Sequence, residues 1–290
     1  MKFVREPKPT LILSPEESTV YQGDAGSVLN QLPDDFFRCV VTSPPYWGLR
    51  DYGVDGQIGA ENDPEEYVHK LTRIFDQVRR VLREDGTLWL NIGDSYTSGN
   101  RGYRAPDKKN PVRAMSYRPR TPKGLKPKDL VGIPWRLAFE LQQSGWYLRA
   151  DIIWEKPNAM PESVKDRPTR SHEYVFLFSK SLHYYYDSAS VSEGNGRNKR
   201  SVWSIPTEPF PEAHFATFPP ALVEPCILAG TRPGDWVLDP FLGSGTVGVV
   251  CEQHYRNYVG VEINPSYVQI ALERIKQTNR SYLSLRKGPQ

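Results

Sequence analysis

The chain has 290 residues, of which 38% are hydrophobic, and it carries a net charge of +3. This length and composition predict one large α/β domain with a substantial core. No run of 18 apolar residues is present and residues 1–3 show no signal-peptide pattern, so we expect a cytoplasmic protein. Cys39, Cys226 and Cys251 are interpreted as reduced and buried, and the five histidines have no ligand spacing, so no metal is expected.

Hydrophobic patterns and turn signals predict strands and helices that alternate along the chain. The first helix begins at Asp63-Pro64, an N-cap followed by proline, and it is predicted to end at Asp85-Gly86. Two further helices are predicted over 133–143 and 247–253. Strands are predicted over 39–42, 87–92, 147–154, 174–178, 236–238 and 258–261. The alternation predicts a mostly parallel, twisted sheet with helices on both faces.

The residues Ser43-Pro44-Pro45-Tyr46, which we call the proline corner, follow the strand predicted over 39–42. Two prolines fix φ and remove two backbone donors, which leaves carbonyl acceptors on a stiff loop. Ser43 Oγ and the Pro44 carbonyl are placed to accept hydrogen bonds from an amino group while the Tyr46 ring stacks on a flat molecule. A nucleobase with an exocyclic amino group fits this description. Taken alone, however, four such residues more often form a rigid turn.

Residues 98–128, which we call the basic segment, contain ten lysine or arginine residues and a single acid. The segment is also rich in proline, glycine, serine and asparagine, which predicts a loop between two core elements. A phosphate backbone would order such a loop in a salt-dependent way, and the alternative is a solvated charged loop. The predicted DNA-binding residues in it are Arg101, Arg104, Lys108, Lys109, Arg113, Arg118 and Arg120.

A second motif, Asp239-Pro240-Phe241-Leu242-Gly243-Ser244-Gly245-Thr246, lies between a predicted strand and a predicted helix. We call it the glycine loop, because its glycines let the backbone turn sharply and approach a ligand. The next strand leads to Glu262, where a carboxylate is placed to accept hydrogen bonds from ribose hydroxyls. Gly243, Gly245 and Gly248 also match the dinucleotide-binding pattern, but too little chain follows them for the second half of a dinucleotide fold.

Together, the proline corner and the glycine loop resemble the motifs of the S-adenosylmethionine-dependent DNA amino-methyltransferases. The proline corner comes first and the glycine loop later, which is the order found in the circularly permuted β group of that family. Segments 21–25, 154–158, 170–174 and 214–220 resemble other parts of it, so the resemblance extends over 21–276. It implies a Rossmann-like methyltransferase fold, circularly permuted, that carries basic DNA-binding loops.

The resemblance also implies roles for matching residues. The four residues of the proline corner would be catalytic and would align the amino group of a base flipped out of double-stranded DNA. The methionine part of S-adenosyl-L-methionine would lie near 241–246, its ribose near Glu262, and its adenine near Asp24 and Phe218, although Asp24 is alternatively a simple turn acid. The cofactor-binding set implied is Asp24, Ala25, Phe218, Asp239, Pro240, Phe241, Gly243, Ser244, Gly245, Thr246, Glu262 and Asn264.

In this family, a serine at the first position of the proline corner goes mostly with cytosine N4, and an aspartate mostly with adenine N6. Ser43 therefore favours a cytosine-N4 methyltransferase, and adenine N6 is the alternative. Protein-glutamine methyltransferases use a similar corner, but the order of the motifs and the basic segment argue against that activity. A DNA-binding module without catalysis is disfavoured because both motifs are intact.

The resemblance predicts one methyltransferase domain over 1–290. Its catalytic half would span 21–187, a short target-recognition segment 188–213, and a cofactor-binding half 214–280. Arg197, Lys199 and Arg200 of the middle segment are predicted to contact DNA. A homodimer, a restriction endonuclease partner and association with the nucleoid of a prokaryote, or a phage origin, are further expectations from the resemblance.

Overall fold

The structure is a computed structural model that describes residues 1–5, 15–49, 56–97, 119–194, 196–208 and 217–286. Its helices are α1 (Ala25–Leu29), α2 (Pro64–Val81), α3 (Ile133–Gln143), α4 (Pro220–Gly230), α5 (Thr246–Gln253) and α6 (Pro265–Arg286). Its strands are β1 (Lys2–Arg5), β2 (Thr19–Gln22), β3 (Phe37–Thr42), β4 (Leu82–Ile92), β5 (Tyr147–Glu155), β6 (His172–Ser179), β7 (Val202–Ser204), β8 (Trp236–Asp239) and β9 (Asn257–Glu262).

The nine strands found within these ranges form one sheet in the order β1-β2-β9-β8-β3-β4-β6-β5-β7. Strand β6 runs antiparallel to both of its neighbours, β4 and β5, and the other neighbouring pairs are parallel. The predicted mostly parallel sheet is therefore confirmed. That the order is a circular permutation of a related fold stays a prediction.

Helices cover both faces of the sheet, as predicted. Successive side chains of a strand point to opposite faces, so Val40 of β3 packs into the core beneath α1, α2 and α3. Its neighbour Val41 packs into the core beneath α4, α5 and α6. Fully buried Phe75 of α2 and Val250 of α5 belong to these two cores, and burying side chains of this size stabilises the fold by about 1.5–3 kcal/mol each.

Helix α2 starts as predicted but ends earlier. Asp63 Oδ1 accepts a hydrogen bond from Glu65 N at 2.8 Å, which caps the first turn. The helix ends at Val81, so the prediction that Asp85-Gly86 terminates it is wrong. Leu82 has an extended backbone and pairs with the first residue of β3, which pulls the chain into the sheet. Asp85 instead forms an ion pair with Arg38, a distant residue that the local sequence does not predict as its partner.

Strand β4 begins at Leu82, five residues before the start predicted at position 87, because the chain enters the sheet directly at the end of α2. The remaining predicted strands and the helix predicted over 247–253 differ from the observed ones by one or two residues at their ends, and α3 has the predicted bounds. Strand β7 lies inside segment 188–213 and pairs with β5 at the outer edge of the sheet. The three cysteines are buried and free, as predicted. No helix in the described part of the chain is long and apolar enough to cross a bilayer.

Candidate active site

The proline corner and the glycine loop leave the sheet at the same edge. Strands β3 and β8 are parallel neighbours, and Val40 pairs with Leu238, so their carboxyl ends lie side by side. Thr42 Oγ1, at the end of β3, donates a 2.7 Å hydrogen bond to Asp239 Oδ1, at the end of β8. Two motifs that are far apart in the sequence are thus joined by a direct bond between the ends of their strands.

The proline corner is fixed from two sides. Tyr67 of α2 donates from its hydroxyl to the Pro45 carbonyl at 2.8 Å. A Cβ on Gly59 would lie 2.9 Å from the Tyr46 carbonyl oxygen, and a Cβ on Gly93 would lie 2.5 Å from Cε2 of the Tyr46 ring. Only a residue without a side chain fits at these two positions, so Gly59 packs closely against the Tyr46 backbone and Gly93 against its ring.

The Tyr46 hydroxyl lies at the centre of a polar cluster. It donates to Glu173 Oε2 at 2.8 Å, it is 3.1 Å from Asn91 Oδ1, and Ser43 Oγ donates to it over 3.4 Å. The phenol has one proton, and the carboxylate is both the nearer and the stronger acceptor. Burial and the neighbouring charge of Glu173 raise the pKa of Tyr46 well above its ordinary value, so the hydroxyl stays protonated.

Glu173 is itself held by charged and polar partners. Lys156 Nζ forms an ion pair with Glu173 Oε1, and both side chains are only 18% exposed. Asn91 Nδ2 donates to Glu173 Oε2 at 3.3 Å and to the Tyr174 carbonyl at 3.1 Å. No role for Asn91, Lys156 or Glu173 was predicted from the sequence. A signal that the sequence offered is that Lys156 and Glu173, of opposite charge, fall in segments 154–158 and 170–174, which both resemble parts of the family.

The glycine loop has two residues with left-handed backbone conformations, Gly243 at φ 54° and Gly245 at φ 83°. Leu242 N donates to the Val261 carbonyl at 2.8 Å, which ties the loop to the end of β9. A Cβ on Gly245 would lie 2.9 Å from Ala271 Cβ of α6. Both the backbone conformation and the lack of space therefore require glycine at position 245.

Two predicted cofactor-binding hydroxyls point into the protein. Arg274 of α6 donates from Nη1 to Ser244 Oγ at 3.0 Å and to Thr246 Oγ1 at 2.9 Å. Ser244 is 1% exposed and Thr246 is 3% exposed. The side chains of these two residues therefore fix the loop onto α6.

Two carboxylates with raised pKa values flank the glycine loop. Asp239 Oδ1 accepts from Phe241 N at 3.0 Å, whereas its buried Oδ2 has no hydrogen-bond partner among the residues that the structure describes. Burial raises the pKa of Asp239 to about 7. Glu262 accepts from Gly243 N at 2.9 Å and from Asn264 N at 2.8 Å, one bond to each oxygen, and burial raises its pKa as well.

The other predicted cofactor residues lie in or near the loops at this edge of the sheet, and several of them have structural contacts of their own. Asp24 is exposed, and its Oδ1 caps α1 through Ser27 N at 2.9 Å, while Ala25 is buried. Gly23 N donates to the Glu262 carbonyl at 3.0 Å, so the end of β2 adjoins the end of β9. Asn264 Oδ1 accepts from Ser266 N at 2.9 Å at the start of α6. Pro240 is buried, and Phe241 and Phe218 are half-buried against the two cores.

The residues on either side of the basic segment lie at this edge of the sheet. Residues 93–97 follow β4, Val131 N donates to the Ser95 carbonyl at 2.9 Å, and Thr97 N donates to the Asp129 carbonyl at 3.0 Å. Asp94 accepts from the backbone of Gly132 at the start of α3. Arg120 is exposed. The other predicted DNA-binding residues of the segment lie outside the described residues: Arg101, Arg104, Lys108, Lys109, Arg113 and Arg118.

The basic residues predicted in segment 188–213 are partly engaged by their own neighbours. Arg200 Nε forms a 3.0 Å ion pair with Glu193, and Lys199 Nζ lies 5.2 Å from the centre of the Trp203 ring. Arg197 is exposed, and its carbonyl accepts from Glu193 N at 2.9 Å. Arg197 and Arg200 are both exposed, and the Arg200 side chain is 85% exposed despite its ion pair.

The site can be compared with known proteins. The model of a family described as DNA methylase, of the N6/N4 type, matches residues 37–273. The chain belongs to this family. It is 65% identical over 263 residues to the Type II methyltransferase M.Cfr9I of Citrobacter freundii, covering 89% of this chain and 88% of the relative. It is 60% identical over 286 residues to M.XycI of Xanthomonas campestris pv. cyanopsidis, covering 97% and 94%.

Solved structures of this type share the fold. The PvuII DNA methyltransferase, named as cytosine-N4-specific, superposes with a TM-score of 0.69 at 23% identity and covers 96% of each chain. A putative DNA modification methylase of Thermus thermophilus, complexed with S-adenosyl-L-methionine, gives a TM-score of 0.65 at 26% identity and covers 89% of this chain and 93% of its own. The protein is a DNA amino-methyltransferase with S-adenosyl-L-methionine as cofactor.

The residues at the edge of the sheet fit this cofactor. S-adenosyl-L-methionine carries a cationic ammonium group and ribose hydroxyls. The buried, unpartnered Oδ2 of Asp239 is an acceptor suited to a cation, and each oxygen of Glu262 keeps lone pairs for hydroxyl donors. The N6/N4 methylase assignment therefore agrees with the chemistry of the side chains present.

Proposed function

We propose that this DNA methyltransferase modifies cytosine at N4, with Ser43, Pro44, Pro45 and Tyr46 as its catalytic residues. The choice of cytosine rests on Ser43, and the observation that carries the catalytic assignment is the bond between Thr42 and Asp239, which joins the strand before the proline corner to the strand before the glycine loop. A base held at the first motif and a cofactor held at the second would meet at this edge of the sheet.

The chemistry assigned to the proline corner is alignment. The amino nitrogen of cytosine is a poor nucleophile because its lone pair is delocalised into the ring. Acceptors at Ser43 Oγ and the Pro44 carbonyl favour an sp³-like nitrogen and direct its lone pair outward. S-adenosyl-L-methionine supplies the electrophilic methyl group. Catalysis is therefore mainly positioning and electrostatic, without a covalent enzyme intermediate.

Tyr46 has two tasks in this proposal. Taking a base out of the duplex costs a few kcal/mol, and stacking on the Tyr46 ring recovers part of that cost. The hydroxyl of the same residue is bonded to Glu173, and the ring edge lies against Gly93. The residue is thus fixed at both its edge and its tip before any base arrives, which supports a role as a pre-formed surface for stacking.

We assign the cofactor to the ends of β2, β9 and β8, which are successive neighbours in the sheet. Asp239 is proposed to accept from the ammonium group and Glu262 from the ribose, while Gly243 and Gly245 let the loop approach closely. The same proposal gives supporting contacts to Asp24, Ala25, Phe218, Pro240, Phe241, Ser244, Thr246 and Asn264.

Contact with double-stranded DNA is proposed for the basic segment and for Arg197, Lys199 and Arg200. The support is that the chain on either side of the basic segment is bonded together beside the end of β4, next to the strand that carries the proline corner. Positive charge at this place would attract the phosphate backbone. A single domain, a homodimer, an endonuclease partner and association with the nucleoid remain part of the same proposal.

The choice of base is tested by incubating the protein with S-adenosyl-L-methionine and mixed-sequence duplex DNA, followed by mass spectrometry of the nucleosides. We expect N4-methylcytosine, because position 43 is a serine. N6-methyladenine would leave the mechanism in place and overturn the assignment of the base. Unmethylated DNA, with cofactor binding intact, would contradict the proposed function.

A further inference from the structure

A row of hydrogen-bonded oxygen atoms leads from the proline corner to a partly buried ion pair. Ser43 Oγ donates to Tyr46 Oη over 3.4 Å, and Tyr46 Oη donates to Glu173 Oε2 over 2.8 Å. Each hydroxyl has one proton, so donation in this direction leaves the lone pairs of Ser43 Oγ available to an amino group. The two hydroxyls therefore donate in one direction, toward the carboxylate of Glu173, which accepts the last hydrogen bond.

The carboxylate at the end of the series is held in position by an ion pair and by an amide group. Lys156 Nζ pairs with its other oxygen, and Lys156 also lies 4.2 Å from the centre of the Trp154 ring. Asn91 Nδ2 bonds to Glu173 Oε2 at 3.3 Å and is oriented by the Tyr174 carbonyl at 3.1 Å. Groups from β4 and from the ends of β5 and β6 thus converge on one side chain of the proposed site.

We propose that Glu173 takes up, through Tyr46 and Ser43, the proton that the amino nitrogen loses when it is methylated. The inference rests on the proposed function of the proline corner. The nitrogen forms a bond to the methyl carbon while the carbon–sulfur bond breaks and its electron pair leaves on sulfur. The surplus proton on nitrogen passes to Ser43 Oγ, the Ser43 proton to Tyr46 Oη, and the Tyr46 proton to Glu173 Oε2. Glu173 becomes neutral and releases the proton to solvent between turnovers.

The series also affects the methyl-transfer step itself. Hydrogen bonds in a row polarise one another, so a carboxylate at the far end makes Ser43 Oγ a stronger acceptor for the amino proton. A stronger acceptor leaves more electron density on the nitrogen as it attacks. Because burial and Glu173 raise the pKa of Tyr46, the proton passes through the phenol by exchange and leaves no phenolate behind.

The test is the rate of methyl transfer in a single turnover of the full chain, with saturating S-adenosyl-L-methionine and duplex DNA. Glu173→Gln keeps an oxygen acceptor for Tyr46 but removes the base, and we expect the rate to fall about 100-fold or more. The dissociation constants for cofactor and DNA should be unchanged. The control is Glu84→Gln, the same chemical change near the start of β4, whereas Asn91, which contacts Glu173, lies near the end of that strand. This variant should leave the rate unchanged. A wild-type rate in Glu173→Gln would overturn the inference.

A second variant keeps the inference testable if the Glu173→Gln protein does not fold, or if its new amide turns its oxygen toward Lys156. Tyr46→Phe removes the middle hydroxyl and leaves both the ring and the ion pair in place. We expect a loss similar to that of Glu173→Gln, and no further loss in the double variant, because both changes interrupt one series. We also expect the solvent deuterium isotope effect of the wild type to disappear in Tyr46→Phe. Losses that multiply, or an isotope effect that persists, would contradict proton transfer along this route.

The wild-type reaction separates the two claims. A wild-type protein that methylates no nucleoside would refute the proposed function. Normal wild-type methylation together with undiminished rates in both variants would refute only the role of Glu173.

Discussion

Substitution of Gly93 by alanine should displace the Tyr46 ring with little other change. The new Cβ would lie 2.5 Å from Tyr46 Cε2 and 3.0 Å from Cδ2. Carbon atoms in contact are normally about 3.5–4.0 Å apart, so the ring must move by about 1 Å. Gly93 does not have a positive φ, so its backbone accepts alanine without strain. A shift of this size would stretch the 2.8 Å bond between Tyr46 and Glu173 out of hydrogen-bonding range.

The expected effect on catalysis follows from that displacement. Misplacing a catalytic group by 1 Å costs about 100-fold in rate, or about 2.7 kcal/mol of activation free energy. Overpacking should also lower the free energy of unfolding by about 1–3 kcal/mol. The assay is single-turnover methylation of duplex DNA, with the rate divided by the amount of folded protein. The affinity for S-adenosyl-L-methionine should not change, because Gly93 lies beside the proline corner and not beside the glycine loop.

A matched control separates crowding at Tyr46 from crowding in general. A Cβ on Gly86, in the other half of β4, would lie 2.5 Å from Leu82 Cγ. Gly86→Ala should therefore destabilise the fold as Gly93→Ala does, while folded molecules keep their methylation rate. Equal rates per folded molecule in Gly93→Ala and the wild type would refute the conclusion that Tyr46 must be held where the structure has it.

Three further changes test the cofactor and DNA assignments. Gly245→Val should abolish binding of S-adenosyl-L-methionine in calorimetry, because a Cβ there meets Ala271 at 2.9 Å and the residue has φ 83°; normal affinity would refute the loop assignment. Burial raises the pKa of Asp239 to about 7, so the folded chain holds a proton that the unfolded chain has lost, and stability falls as pH rises toward neutrality. Between about pH 5 and pH 8 this fall should be roughly 2–3 kcal/mol in denaturant titrations, and parallel pH curves for the wild type and Asp239→Asn would contradict it. Substitution of the basic residues of 98–128 by glutamine should reduce the slope of the logarithm of the DNA-binding constant against the logarithm of salt concentration. The expected reduction is about 0.9 per lost phosphate contact, and an unaltered slope would show that the segment does not contact the DNA backbone.

The sequence predicted those parts of the site that depend on local pattern. Helix α3 has the predicted bounds, because a repeated apolar spacing over 11 residues leaves few alternatives. The meeting of the proline corner with the glycine loop was also predictable once the family resemblance was recognised. Both motifs follow apolar strands, and parallel neighbours bring the carboxyl ends of strands together.

The features that the sequence did not predict depend on contacts between segments that are far apart in the chain. Glu173 reaches Tyr46 because β6 runs antiparallel to β4 and pairs Ile92 with Tyr174, and a single sequence does not reveal that register. Arg274 reaches the glycine loop because α6 packs across it. The end of α2 was mispredicted for the same reason, since Leu82 is drawn into the sheet by pairing with Phe37.

The measurement that tests the account most directly is the single-turnover rate of Ser43→Ala with saturating S-adenosyl-L-methionine and duplex DNA. Ser43 Oγ is the proposed acceptor for the target amino group, and loss of one such polar contact to a reacting group typically costs about 100- to 1,000-fold. The account predicts a loss of this size while the dissociation constant of the cofactor stays at the wild-type value. A wild-type rate in Ser43→Ala would contradict the proposal that the proline corner directs methyl transfer.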